Sequence, residues 1–212
     1  MACKICEKRR AQRFCPPVGG DICARCCGEG REATIACPLD CVHLQAARRH
    51  ERTEPVHPDE FPNRDIRVTD RFLREHDALL VALGRAVLGA ALETEGAVDN
   101  DMRDALEALV RTWRTLESGV LYESRPDNRV AAQVFQHVQD GIAEFREREI
   151  QELGMVRTRD ADVLVVLAFM QRLELDRNNG RRRGRAFVDL LHRHFTPAGG
   201  AAPVATGSLI VP

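Results

Sequence analysis

Aromatic side chains are scarce in this chain: one Trp, one Tyr and eight Phe make up 5% of 212 residues. So few rings exclude a surface built to stack a long run of nucleobases. Long apolar runs are missing as well. The most hydrophobic stretch, Val81 to Leu92, is interrupted by Arg85. At about twelve residues it falls well short of the ~20 that a membrane span requires. Met1 to Glu7 lacks the apolar centre of a secretory signal. An excess of charge is absent too, since the formal net charge is -1, which leaves the molecule as a whole little attraction for polyanions or anionic lipid. These absences lead us to expect a cytoplasmic protein with no membrane partner.

Cysteine is missing from the last 171 residues, because all eight lie between Cys3 and Cys41. In a reducing compartment such clustering points to metal rather than to disulfides. The pattern is Cys3-x2-Cys6-x8-Cys15-x7-Cys23-x2-Cys26-Cys27-x9-Cys37-x3-Cys41, with His43 two residues on. Two Cys-x2-Cys pairs, Cys3/Cys6 and Cys23/Cys26, supply the four thiolates of one tetrahedral zinc site. The other four cysteines, Cys15, Cys27, Cys37 and Cys41, predict an interleaved second site, in which His43 is an alternative ligand. The i,i+4 spacing of Cys37 and Cys41 would place both sulfurs on one helix face, although a helix starting at Asp40 would leave Cys37 in the preceding loop. Zinc is the expected metal, two ions in all; an iron–sulfur cluster, also held by four thiolates, is the alternative. A segment of about forty residues buries too little apolar surface to fold alone, so metal is expected to supply its folding free energy. Ile5, Phe14, Val18, Ile22 and Ile35 are its few core candidates.

On this ligand spacing, residues 3–45 resemble the cross-brace and treble-clef zinc fingers, such as the B-box, MYND and HIT-type modules. The segment departs from them in that Cys15 lacks an x2 partner and Cys26 and Cys27 are adjacent. The resemblance implies a role in protein–protein contact.

Residues 1–50 carry nine Lys and Arg against five acids, a formal +4. Eight thiolates around two zinc ions would cancel it. Arg9, Arg10 and Arg13, with Arg181, Arg182, Arg183 and Arg185 far along the chain, are the candidate phosphate contacts of a nucleic-acid-binding alternative.

Beyond residue 50 the chain reads as a Pro-rich spacer (51–66), an α-helical bundle (67–195) and a tail (196–212). The fold class is therefore mainly α: a small cysteine-rich zinc module followed by about five helices. The first helix is expected from Thr69-Asp70 onward, with Phe72, Leu79, Leu83, Ala86 and Ala90 in its stripe and His76 filling a gap. The second follows Asp99-Asn100 and faces inward with Met102, Leu106, Leu109, Trp113, Leu116 and Val120. The third carries Val130, Val134, Val138, Ile142 and Phe145, and should form a hairpin with the second. The fourth, Ala161 to Leu175, is capped by Thr158 and is the most buried. The last presents Phe187, Leu190, Leu191 and Phe195. The tail ends in an apolar Leu209-Ile210-Val211 tip, expected to dock as a short peptide in cis or on a partner.

No phosphate-binding glycine loop or nucleophile elbow is present. Asp189-x-x-His192 stands alone as a metal-like pair on a helix, so no catalytic residue is assigned. The expected function is a non-enzymatic zinc-binding adaptor that contacts an unidentified protein. A nucleic-acid-associated regulator is the alternative, and a thiol-based redox or zinc sensor the third reading.

Overall fold

The computed structural model describes residues 1–51 and 56–196, and the chain divides into two compact units. One comprises Met1–Thr53 together with Asn178–Arg185, and the other takes the remainder. Eight α-helices and one two-stranded sheet occur among the described residues, so the fold is mainly α with a cysteine-rich N-terminal cluster. The apolar tip at Leu209 to Val211 lies outside the described residues.

The cysteine unit opens with a tight turn over Cys3 to Glu7, in which the Glu7 N–H donates to the Cys3 carbonyl (2.8 Å). An antiparallel hairpin follows, β1 (Arg13–Cys15) and β2 (Gly20–Ile22), in the register Arg13 to Ile22 and Cys15 to Gly20. The Lys4 N–H donates to the Asp21 carbonyl, fastening the turn to β2. Helix α1 (Ala24–Gly30) starts directly after β2, and α2 (Val42–Arg48) closes the unit. Ile22, Ile35 and Leu44 are buried as its apolar core. Ile5 and Phe14 are not: they are 46% and 66% exposed. Side chains alternate across a strand, and this hairpin turns Arg13 and Cys15 inward, leaving Phe14 outside. Ile5 sits between two cysteines whose sulfurs both point in. The hairpin itself escapes a periodicity reading because each strand is only three residues long. Helix α2 begins at Val42 with Cys41 as its N-cap, so Cys37 and Cys41 do not share a helix face.

The second unit contains α3 (Asp70–Glu75), α4 (Asp77–Glu93), α5 (Asp99–Glu117), α6 (Arg129–Leu153), α7 (Asp160–Arg177) and α8 (Ala186–Phe195). The expected first helix is broken at His76, whose backbone (φ -120°, ψ 33°) leaves the helical range. Local side-chain bonds compete with the helix there: the His76 ring shares a hydrogen bond with the Phe72 carbonyl (3.0 Å), and Asp77 Oδ1 accepts from the Ala78 N–H (2.7 Å). Thr69 caps α3 by accepting from the Phe72 N–H, and Asn128 caps α6 through the Val130 N–H. Val120 lies beyond the end of α5 and is exposed, because the helix stops at Glu117.

Helix α7 is buried on most of its circumference, from Val163 through Leu173. Its main neighbour is α5, and α4 lies chiefly along α6; α5 and α6 touch, but their hairpin is not the dominant pairing. Thr158 does not cap α7. Its hydroxyl donates to Glu149 Oε1 (2.8 Å), and Asp162 accepts the Arg159 N–H instead. The segment before α3 is no bare spacer: Phe61 and Ile66 are buried, and Arg172 Nη2 donates to the carbonyls of Asn63 and Ile66.

Two helix crossings are so tight that only glycine fits. A Cβ on Gly84 would stand 2.5 Å from the Phe195 ring, and one on Gly141 would stand 2.6 Å from Ala86 Cβ. Gly84→Ala should therefore push α8 off α4 and lower bundle stability by about 1–3 kcal/mol, measured by urea unfolding followed at Trp113. A wild-type midpoint would contradict this packing.

Buried Asp99 ties α5 to the start of α8, accepting the N–H groups of Phe187 (3.0 Å) and Val188 (3.2 Å). Burial outweighs these donors and pushes its carboxyl up from 3.8 to about 7, with the nearby Glu174 carboxylate acting in the same direction. The folded unit then keeps a proton that the unfolded chain gives up near 3.8. Stability from this group is complete below that pH and is lost as pH rises towards 7. Between pH 5 and pH 8 the loss should be about 2–3 kcal/mol, and Asp99→Asn should flatten it. Urea titrations at the two pH values compare the variants; equal slopes in both proteins would refute the assignment.

Candidate metal centre

The turn at the N-terminus and the start of α1 bring four cysteines together. The sulfurs of Cys3, Cys6, Cys23 and Cys26 all lie within 4.8 Å of one another. Zn–S bonds of 2.3 Å in a tetrahedron place sulfurs about 3.8 Å apart, so the four fit one ion with little movement. Cys3, Cys23 and Cys26 are buried and Cys6 half-buried. The donor set is all thiolate, with no histidine or carboxylate and no position left for water, which is the chemistry of a structural site rather than a catalytic one.

Backbone donors around the sulfurs are arranged for negative charge. The Cys23 N–H points at Cys3 Sγ (3.2 Å), and the Cys26 N–H at Cys23 Sγ (3.4 Å), where Cys23 is the N-cap of α1. Burial opposes ionisation of Cys3, yet the N–H groups of Cys6, Cys23 and Ile5 hold its thiol down at about 6. The N–H groups of Lys8 and Arg9 lower Cys6 in the same way. Cys26 is pushed up to about 12, first by its hydrogen bond with Cys23 and then by burial. Metal binds thiolates, so loading this group would release the protons its cysteines hold, and metal affinity should rise with pH.

The other four cysteines are not members of this four-sulfur group, although Cys27 is buried in the same core and Cys15 and Cys37 pack against it. Cys15 ends β1, Cys27 is in α1, Cys37 lies in the turn before α2, and Cys41 caps α2. Arg13 Nη1 donates to Cys27 Sγ at 3.5 Å. Burial pushes the Cys37 thiol up, the Glu32 N–H pulls it back, and Cys41 and Cys15 are close enough to push it up again. His43 is half-buried; burial lowers its pKa, as do Arg13 and Arg31. Among the described residues only Cys3, Cys6, Cys23 and Cys26 form a compact metal-ready group.

Glu32 is the residue that sequence reasoning missed. It is 1% exposed and adopts a left-handed backbone (φ 51°), a strained state for a side-chain-bearing residue unless its surroundings fix it. Here they do. Oε1 accepts from Arg48 Nη2 (2.6 Å) and from the Arg185 N–H (2.9 Å), and Oε2 accepts from Asn179 Nδ2 (2.9 Å). The Glu32 carbonyl accepts the Arg183 N–H at 2.7 Å, and Arg181 Nη1 donates to the Arg31 carbonyl at 2.8 Å. One carboxylate thereby clasps the segment joining α7 to α8 onto the cysteine unit. Nothing local in Gly30-Arg31-Glu32-Ala33 signals a partner 147 residues away.

No family model, curated protein or solved structure matches this chain.

Proposed function

We propose that this protein is a non-enzymatic, zinc-stabilised adaptor of the cytoplasm, in which a metal-held finger accompanies a helical scaffold that contacts other proteins. The observation that carries the reading is the closed, four-sulfur group of Cys3, Cys6, Cys23 and Cys26 with backbone N–H groups aimed at its sulfurs. The order of parts supports the likeness to treble-clef fingers: a ligand-bearing turn, a hairpin, then a helix that begins at the second ligand pair. A second zinc ion would be held by Cys15, Cys27, Cys37 and Cys41. Its support is that Cys41 and Cys15 lie near enough to Cys37 to push its thiol up.

Exposed apolar side chains favour protein contact by the helical unit. Val120, Leu121 and Tyr122 stand side by side beyond α5, with Leu121 93% exposed, and adjacent large apolar groups on a surface mark interaction sites. The test is affinity capture from lysate with wild-type protein and with a Leu121→Asp, Tyr122→Ala variant. A discrete protein retained by the wild type and lost in the variant supports the reading. Identical captures by both proteins would remove these residues from it.

A further inference from the structure

Charge in this chain is partitioned between the two units, and the partition is visible only once Asn178–Arg185 is grouped with the cysteines. The cysteine unit holds fourteen Lys and Arg against six Asp and Glu, a formal +8, and the helical unit holds seventeen against twenty-six, a formal -9. Four thiolates around one zinc lower the first figure to +6, and eight around two zinc ions to +4. Metal loading therefore does not cancel the field of this unit, whereas it would cancel that of residues 1–50 taken alone.

We infer that the cysteine unit binds the phosphodiester backbone of nucleic acid through a composite basic surface, assembled from the first fifty residues and the Arg181–Arg185 segment by the Glu32 clasp. The inference rests on the metal-held fold proposed above for this unit and is independent of the protein-contact role of the bundle. Twelve of the fourteen cations are Arg, whose planar fork matches phosphate oxygens. Lys4, Lys8, Arg9, Arg10, Arg49, Arg182 and Arg183 are exposed. The two segments join physically: Arg181 is bonded to the Arg31 carbonyl, and Arg182 and Arg183 emerge beside Glu32, whose carbonyl accepts the Arg183 N–H. The one buried acid of the unit, Glu32, faces the buried Arg48 rather than the surface cations.

An acidic protein partner fits the Arg181–Arg185 part of this surface less well. Asn178-Asn179-Gly180-Arg181-Arg182-Arg183-Gly184-Arg185 contains no apolar or aromatic side chain to form the desolvated centre that protein interfaces need. Backbone phosphates need only positioned cations and carry no sequence information, which also suits a chain with few aromatics.

The test uses full-length, metal-loaded protein with a fluorescein-labelled DNA duplex of mixed sequence and a single strand of equal length, titrated at increasing KCl. Binding should weaken steeply, with log affinity falling against log salt at a slope of about -4 or steeper. Arg182→Ala with Arg183→Ala, and separately Arg9→Ala with Arg10→Ala, should each reduce that slope by about two and weaken binding about tenfold or more, with metal content unchanged. The two probes report whether duplex or single strand is preferred, and a preference for either supports the inference. Three results would overturn it: no binding to either probe at low salt by protein that retains its metal, a slope altered by only one of the two double variants, or equal binding of a polyglutamate chain. If instead the protein is purified without metal and residues 1–51 exchange freely, the fold of the unit itself is what has failed.

Discussion

Cys6→Ser and Cys23→Ser variants should each lose the metal of the first site, and with it the fold of the whole cysteine unit, while the helical unit keeps its cooperative unfolding. Each removes one of four thiolates from a group within 4.8 Å, and three sulfurs with a hydroxyl bind zinc far more weakly than four. The consequence is large because the unit has little else. Its apolar core is Ile22, Ile35 and Leu44 with the cysteines, its sheet is two strands of three residues, and α1 and α2 are seven residues each. Helices that short do not persist alone. Structural zinc contributes about 10–16 kcal/mol in small fingers near neutral pH, more than such a core supplies. Hydrogen exchange read by mass spectrometry should show protection lost over residues 1–51 and, with it, over 178–185. Trp113 fluorescence should report an unchanged urea midpoint for the bundle. Protection that survives in either serine variant would show that the unit folds without these ligands.

The second large effect is expected at Glu32. Glu32→Gln preserves shape but removes the charge facing Arg48, whose side chain is 7% exposed against 1% for Glu32. Breaking a buried ion pair from one side costs about 3–5 kcal/mol, because the other charge stays buried. It also weakens three further bonds at once, to Asn179, to the Arg185 N–H and, through the strained backbone, to the Arg183 N–H. Exchange should therefore accelerate across 178–185 and around α2 while any metal held by Cys3, Cys6, Cys23 and Cys26 stays bound. Adding Arg48→Met should recover part of the loss, since the double variant no longer buries an opposed charge. A single variant that exchanges like the wild type would show that the clasp does not hold the segment.

The legible features share a physical reason: they are local. Cys-x2-Cys pairs announce a metal because two turns suffice to aim four sulfurs, and the pairs chosen from spacing are those that converge here. Helices α5, α6 and α8 follow the apolar periodicity that burial imposes on Leu106, Leu109, Val134, Val138 and Phe187. What stayed hidden is non-local or too short to be periodic. The break at His76 depends on the side chains of two residues, His76 and Asp77. The β1–β2 hairpin offers three residues per strand. The clasp at Glu32 and the cap that Asp99 provides for α8 join residues 147 and 88 positions apart, and no stripe encodes them. The grouping of Arg181 to Arg185 with the cysteines, which adds charge that residues 1–50 alone do not carry, follows from that same hidden clasp.

The central claim is that Cys3, Cys6, Cys23 and Cys26 hold a structural zinc ion. Elemental analysis of protein purified without added metal, combined with X-ray absorption at the metal edge, tests it most directly. The account predicts zinc, about two ions per chain, in sulfur shells at about 2.3 Å, with one ion lost in Cys6→Ser. Folded protein that contains no zinc, or that holds iron and is coloured, would contradict it.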